Sequence, residues 1–220
     1  MSKAIGFGED VEGYEILVLN EREVRATAGI LFLFAFLAIL LAILKGNFIL
    51  LKYFIISFLI DFIIRVFVNP KYSPTLIIGR LIVSRQVPEY VGAAQKRFAW
   101  KIGLILASIM FILIVLVNSY SAITGLICLT CLIFLFFEST FGICLGCLFY
   151  GWYYGKKAQY CPGEICDVKQ KQDIQKTSGM QLLIVLAFIA LIVLAVFSFN
   201  DSFSEKPNDL WKILETARLK

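Results

Sequence analysis

The sequence contains no histidine, and only 17% of its residues are charged. Without histidine, Ser-His-Asp triads, histidine-ligated haem and histidine-rich zinc sites are excluded. Soluble domains are about 25% charged and about 45–50% apolar, whereas this chain is 60% hydrophobic, with a mean hydropathy of +0.83. The composition excludes a water-soluble globular protein and a disordered chain. It indicates a polytopic membrane protein.

Six segments of the chain are rich in apolar residues. A membrane-spanning helix needs about 20 such residues, at a rise of about 1.5 Å each. The segments are Ala26–Leu44, Phe48–Val68, Ile102–Val117, Ala122–Phe137, Phe141–Tyr154 and Leu182–Phe199. They predict an all-α fold, a polytopic helical membrane protein with five full spans plus a short helix that either re-enters the membrane or forms a sixth span.

The same segments predict how the chain is organised. We expect a polar N-terminal segment at residues 1–25, a helical membrane domain at 26–200 and an amphipathic C-terminal tail at 201–220. Within the membrane domain we expect a cytosolic connector at 69–101 and a cysteine-containing loop at 155–181.

A break in the fourth and fifth segments is required by their combined length. The 34 residues from 122 to 155 contain one charged side chain, Glu138. As a single helix they would be about 51 Å long, but the hydrocarbon core of a membrane is about 30 Å thick. The chain must therefore turn near residues 138–140, where Ser139 or Thr140 can cap a new helix. Whether residues 141–154 then cross the membrane or re-enter the same face stays open.

The connector at 69–101 predicts the orientation of the protein. Its basic residues are Lys71, Arg80, Arg85, Lys96, Arg97 and Lys101, whereas residues 118–121 contain none. Because cytosolic loops are enriched in Lys and Arg, we expect the connector and the N-terminus to be cytosolic. Ser73-Pro74 and Val87-Pro88 each predict the start of a helix. The basic side chains either meet lipid phosphates or form an anion-binding rim.

Three separated motifs in this order are typical of one family. They are Asn69-Pro70-x-x-Ser73-Pro74-Thr75, Pro88-Glu89-x-x-Gly92-Ala93-x-x-Lys96-Arg97-Phe98-Ala99 and Phe137-Glu138-x-x-x-Gly142-x-Cys144-x-Gly146-Cys147. The chain resembles the bacterial integral membrane family catalogued as domain of unknown function 4395, over about residues 20–154. The resemblance implies a small helical protein of a prokaryotic cytoplasmic membrane and singles out Glu138, Cys144 and Cys147. It implies no established activity.

Cys144 and Cys147 form a C-x-x-C motif just after the expected turn. If a helix starts there, its unpaired N–H groups and dipole favour a thiolate, as in dithiol redox motifs. Glu138 precedes the pair, and a carboxylate at membrane depth is costly enough to indicate a function, either accepting a thiol proton or holding a cation. Alternatively, Glu138 only caps the helix or faces interfacial water. Gly142 and Gly146 allow close packing. Cys144, Cys147 and Glu138 are therefore the candidate catalytic residues.

The remaining four of the six cysteines form two further pairs, Cys128/Cys131 and Cys161/Cys166. Cys128 and Cys131 lie in an apolar helix, where they are either inert or relay partners across a hairpin that sets Cys131 near Cys147. Cys161 and Cys166 flank a Pro-Gly turn and form either an outer-face disulfide or a reduced cytosolic pair. Four thiolates on zinc would leave two negative charges in lipid, so we expect no metal.

Asp61 and Arg65 lie one helical turn apart in the second segment. They predict an i,i+4 ion pair inside the bundle. Alternatively, Arg65 meets a small anion together with Arg97 or Arg80.

We therefore expect thiol–disulfide exchange or persulfide handling at Cys144 and Cys147. The alternatives are a transporter of a small anion, such as a sulfur oxyanion, and a membrane partner subunit without catalysis. No nucleotide-binding or haem-attachment motif is present, so we expect no cofactor. The expected partners are the lipid bilayer and a soluble thiol carrier or sulfurtransferase, not nucleic acid.

Overall fold

The computed structural model describes residues 7–11, 16–154 and 177–209, which are mostly helical. The seven helices of this part of the chain are α1 (Glu21–Lys45), α2 (Ile49–Ile63), α3 (Pro74–Ile82), α4 (Ala93–Met110), α5 (Ala122–Phe136), α6 (Leu145–Tyr154) and α7 (Gly179–Ser204). Three of them continue into a π-helical turn: α2 into Ile64–Val68, α4 into Phe111–Leu116 and α5 into Phe137–Phe141. A 3-10 turn, Pro70–Tyr72, precedes α3.

Four of the described helices are long and apolar enough to cross a membrane: α1, α4 and α5 with their π turns, and α7. In contrast, α2 and its turn carry Lys52, Asp61 and Arg65, and the 10 residues of α6 extend only about 15 Å. Many large apolar side chains on the long helices are exposed, among them Leu126 and Phe197. Such an exposed apolar surface is compatible with a membrane protein.

Helix α1 lies at the centre of the described bundle. Its buried side chains include Ala28, Ala35, Ala38 and Ala42, so one face carries mainly small residues. Small side chains allow neighbouring helices to approach closely, and α1 contacts α2, α3 and α5. This packing brings the first turns of α1 against α3 and against the π turn that follows α5.

Two short sheets mark the two ends of the bundle. Strand β1 (Val18–Asn20) pairs antiparallel with β2 (Tyr90–Gly92) at the end where α1 begins, which we call the proximal end. Strand β3 (Ser119–Tyr120) pairs in parallel with β4 (Asn208–Asp209) at the opposite, distal end. The described part of the chain is therefore mostly helical, as predicted, with two small sheets.

Helix α7 runs from the proximal to the distal end. At its start, Gln181 Nε2 donates a 3.0 Å hydrogen bond to the carbonyl oxygen of Lys71. At its end, Lys52 Nζ donates to the carbonyl oxygens of Phe203 and Glu205, at 3.3 and 3.1 Å. Since α5 ends at the proximal end against the start of α1, the chain leaves α5 and enters α7 at the same end.

Capping side chains open two of the described helices. The side chain of Asn20 accepts a hydrogen bond from the backbone N–H of Arg22 at the start of α1. Ser73 caps α3 by accepting from the N–H of Leu76, with Pro74 at the first helical position. Helix α1 therefore begins at Glu21, within the polar segment expected at residues 1–25.

Two boundaries predicted from the sequence are wrong. The chain does not restart a helix at Pro88, because residues 90–92 pair with β1 and α4 begins only at Ala93. The turn expected at residues 138–140 lies at 142–144 instead, since the π turn continues the helix through Phe141. Cys161, Cys166 and residues 210–220 of the predicted amphipathic tail lie outside the described residues.

Candidate functional site

The break before α6 places the C-x-x-C motif at a helix start. Gly142 ends the π turn in the left-handed conformation, with φ of 67°, which an L side chain adopts only with strain. Cys144 then precedes α6, and its Sγ accepts a 3.3 Å hydrogen bond from the backbone N–H of Cys147. Cys144 thus caps α6 itself, in place of the expected Ser139 or Thr140.

Helix α6 packs closely against α4 next to the motif. A Cβ added to Gly146 would lie 2.5 Å from Ala99 Cβ, a distance too short for any side chain. The rings of Phe98 and Tyr150 make an edge contact, with centroids 5.4 Å apart. Gly146 therefore lets the first turn of α6 rest directly on the start of α4.

A buried lysine links three elements beside the cysteine pair. The side chain of Lys96, on α4, is 1% exposed. Its Nζ lies 2.5 Å from Glu138 Oε1 on the π turn after α5, and 2.8 Å from Glu21 Oε2 on α1. The guanidinium of Arg25 lies against Gly142. The charge of the Lys96 ammonium thus balances one of the two carboxylates, and the charge of the other is offset by the Arg25 guanidinium.

The two thiols are buried: Cys144 is 8% exposed and Cys147 is 5% exposed. The pKa of Cys144 is raised well above its ordinary value by a hydrogen bond with the side chain of Cys147, by burial and by the negative charge of Glu138, while Lys96 opposes the shift. Burial and the charge of Glu138 thus oppose the thiolate that the helix start favours. A base must remove the proton before Cys144 can act as a nucleophile.

A cavity of about 50 Å³ adjoins Cys144. Its polar wall is formed by Arg65, Glu138, Cys131 and Cys144, and its other wall residues, such as Trp100, are mostly apolar. One water molecule needs about 10–15 Å³ of such space. The cavity therefore has room for a few waters or one molecule of similar size, and its wall includes a thiol and a carboxylate.

Three of the four described cysteines line cavities of the bundle. Cys131 shares the 50 Å³ cavity with Cys144. Cys128 lines a larger apolar cavity of about 500 Å³, whose walls include Ala42 and Tyr120, and shares a third cavity of about 40 Å³ with Cys131. Because Cys131 alone borders the cavity of Cys144, it is the better placed of the two predicted relay residues. Cys161 and Cys166 lie outside the described residues.

Asp61 and Arg65 form the predicted i,i+4 ion pair, with Arg65 Nε donating to Asp61 Oδ2 at 2.7 Å. Both side chains are almost fully buried. Asp61 also accepts hydrogen bonds from the hydroxyl groups of Ser73 and Thr75. The guanidinium lies over the rings of Phe62 and Trp100, at 4.7 and 5.1 Å from their centroids.

Arg80 and Arg97, two further arginines of the connector, are also engaged within the bundle. Arg80 donates to Glu23 at 3.0 Å and to Glu9 at 3.1 Å. Arg97 donates to the carbonyl oxygen of Val66 and lies over the Phe7 ring. Arg80 and Lys96 therefore bind carboxylates of the same chain rather than forming a solvent-facing rim.

Sequence reasoning missed Lys96, Glu21 and Arg25 as neighbours of the cysteine pair. Glu21 and Glu23 were assigned to a polar segment, although they directly precede the apolar run at 26–44. Acidic residues at the edge of a span need cationic partners. The basic residues at the start of α4 could therefore have indicated the partners of these acidic residues.

The described residues contain no group of three or more Cys, Asp or Glu side chains arranged to hold a metal ion.

Residues 19–154, more than half of the chain, match the family described as "Domain of unknown function (DUF4395)". The chain belongs to this family. The resemblance seen in the sequence is thereby confirmed. No curated protein and no solved structure matches the chain.

The DUF4395 segment extends from β1 to the end of α6. It therefore includes Lys96 with its neighbours Glu21, Arg25 and Glu138, and both Cys144 and Cys147. Cys161 and Cys166 lie beyond it.

Proposed function

We propose that this chain is an integral membrane protein that carries out thiol or sulfur chemistry at Cys144 and Cys147. The observation that carries the proposal is the position of Cys144, which caps α6 while it lines a cavity with Glu138. A carboxylate near a buried thiol can act as the base that converts the thiol into a nucleophilic thiolate.

The proposed topology has five crossings, made by α1, α2, α4, α5 and α7, with α6 re-entering at the proximal end. Two observations support it: α6 is too short to span about 30 Å, and α5 ends at the end where α7 begins. The charges of α2 do not prevent a crossing, since Asp61 and Arg65 neutralise each other and Lys52 lies at the distal end of the helix, beside Glu205.

The proposed orientation places the proximal end in the cytosol of a prokaryotic cell. The basic connector lies at this end, and cytosolic loops carry the excess of Lys and Arg. A soluble thiol carrier or sulfurtransferase is then the partner class that would supply or remove sulfur there.

In the proposed reaction, Glu138 accepts the proton of the Cys144 thiol, and the thiolate attacks a sulfur–sulfur bond. The attacked bond breaks, a new bond forms to Cys144 Sγ, and the leaving sulfur takes up the proton. Cys147 then attacks Cys144 Sγ, the bond between Cys144 Sγ and the bound sulfur breaks, and that sulfur leaves with the proton of the Cys147 thiol, so that a Cys144–Cys147 disulfide remains. Lys96 holds Glu138 in place through its 2.5 Å ion pair.

We do not propose transport of a small anion. That function needs an arginine available inside the bundle, whereas Arg65 binds Asp61 and Arg80 binds Glu23 and Glu9.

Oxidation of the purified full chain with a mild thiol oxidant, followed by differential alkylation and mass spectrometry, tests the proposal. We expect a reversible disulfide between Cys144 and Cys147. It should be absent in Cys144→Ser and Cys147→Ser and retained in Cys128→Ser, because Cys128 faces the other cavity. A pair that neither oxidises nor takes up sulfur, while the chain stays folded, would overturn the proposal.

A further inference from the structure

The space beside Cys144 limits the size of what can react there. Both thiols of the motif are less than one-tenth exposed, and the adjoining cavity has a volume of about 50 Å³. That volume accommodates a molecule of only a few heavy atoms, by comparison with about 10–15 Å³ for one water. A protein disulfide or a tripeptide thiol such as glutathione is far larger.

The charges on the cavity wall limit the substrate further. Arg65 is neutralised by Asp61, and Glu138 is paired with Lys96. The remaining wall residues are mostly apolar, among them Phe62, Trp100 and Phe134. Moving a doubly charged oxyanion from water into such a space is costly without a free counter-charge. A small neutral molecule meets no such cost.

We infer that the direct substrate of Cys144 is a small inorganic hydrogen polysulfide, of which hydrogen disulfide, H–S–S–H, is the smallest. This inference rests on the proposed function and names its substrate class. Larger thiol carriers would exchange sulfide with the site rather than contact Cys144 themselves.

The transfer balances without an added oxidant. Glu138 accepts the proton of the Cys144 thiol, and the thiolate attacks one sulfur of H–S–S–H. The S–S bond of the substrate breaks, a Cys144–S–S–H persulfide forms, and the leaving hydrosulfide takes the proton from Glu138 to become H₂S. In the second step, the Cys147 thiol attacks Cys144 Sγ. A Cys144–Cys147 disulfide forms, and a second H₂S leaves.

The reverse direction is equally balanced, because H₂S can attack the disulfide to regenerate the persulfide. The site thus interconverts two thiols plus a sulfane sulfur with a disulfide plus sulfide. Cys131 also lines this cavity and is its second thiol, beside that of Cys144.

The test uses the full chain in lipid nanodiscs with Cys147→Ser, which prevents the second step. Reduced protein is mixed with sodium disulfide or, separately, with glutathione persulfide at equal concentration. Persulfide at Cys144 is then quantified by alkylation and mass spectrometry. We expect the inorganic disulfide to react at least about tenfold faster than glutathione persulfide. A single methylene group that fits a pocket poorly already lowers a reaction rate by about tenfold.

A pair of matched variants on α1 tests the role of the cavity. Ala28 lines the 50 Å³ cavity and Ala42 lines the 500 Å³ cavity. In the Cys147→Ser background, Ala28→Val should slow persulfide formation by at least about tenfold, whereas Ala42→Val should leave it within about twofold. The comparison of the two reagents does not depend on whether Ala28→Val folds.

Equal rates with the two reagents would overturn the size limit and leave the proposed thiol chemistry intact. If neither reagent modifies Cys144 in the folded protein, the inference and the proposed function both fail. Persulfide on Cys128 in place of Cys144 would also overturn the inference, because it would place the reaction in the larger cavity.

Discussion

Lys96 Nζ lies 2.5 Å from Glu138 Oε1, although the two residues are 42 positions apart in the sequence. The ion pair joins the start of α4 to the π turn after α5, directly before the chain breaks into α6. Lys96 also contacts Glu21, so a single buried ammonium holds three elements around the cysteine pair.

Replacing Lys96 by methionine should lower the free energy of unfolding by about 3–5 kcal/mol, because it leaves two carboxylates facing each other without their cation. Lys101→Met is the matched control, since Lys101 is exposed on the same helix. Thermal unfolding in detergent measures both variants. Adding Glu138→Gln to Lys96→Met should restore part of the loss, and an unchanged loss would show that repulsion is not the cause.

Glu138→Gln should change the rates of alkylation and of persulfide formation at Cys144 in opposite directions. The negative charge of Glu138 raises the pKa of Cys144, which lies outside the long spanning helices. Its removal should therefore lower that pKa and speed alkylation by iodoacetamide at a fixed pH. Persulfide formation should nevertheless slow by about 10²-fold or more, because the base is lost. If both rates rise together, Glu138 only sets the charge of the site.

Gly79→Ala should destabilise the contact between α3 and α1. An added Cβ would lie 2.3 Å from Thr27 Oγ1 and 2.7 Å from the carbonyl oxygen of Glu23. The helices must then separate, at a cost of about 1–3 kcal/mol in the free energy of unfolding. Gly125→Ala is the control: nothing lies within 4 Å of its added Cβ, so it should be neutral or stabilising by about 0.5–1 kcal/mol.

Asp61→Asn should leave the buried Arg65 guanidinium without its counter-ion and cost about 3–5 kcal/mol of stability. Asp201→Asn, an exposed position on α7, should have no measurable effect. Chemical denaturation of both variants in the same detergent makes the comparison. Equal stabilities would show that Ser73 and Thr75 suffice to hold the arginine.

Labelling single cysteines in sealed right-side-out vesicles tests the five-crossing topology. In a background without native cysteines, Asn47→Cys and Lys206→Cys lie at the distal end and should react with an impermeant maleimide. Arg85→Cys and Thr177→Cys lie at the proximal end and should react only after the membrane is permeabilised. Labelling of Thr177→Cys from outside, with Arg85→Cys protected, would show that the chain crosses between α5 and α7.

Features that depend on neighbouring residues could be predicted from the sequence. Asn20 and Ser73-Pro74 mark helix starts through contacts within one turn. The Asp61–Arg65 pair follows from helical spacing. The length of the apolar run after Ala122 required a break in the helix. The position of this break at Gly142 depends on a π turn that no local sequence pattern predicts.

The amino-acid sequence by itself determined the helical, apolar class of the protein, its family and the placement of a cysteine pair near a helix start, because apolar periodicity, caps and motif spacing are local. Only the tertiary structure decided which charges surround that pair and which thiols share a cavity. Lys96 meets Glu21 across 75 positions and Glu138 across 42. Partners so distant are selected by how the helices pack, since several acids and bases of the chain are chemically equivalent until packing brings a few of them together.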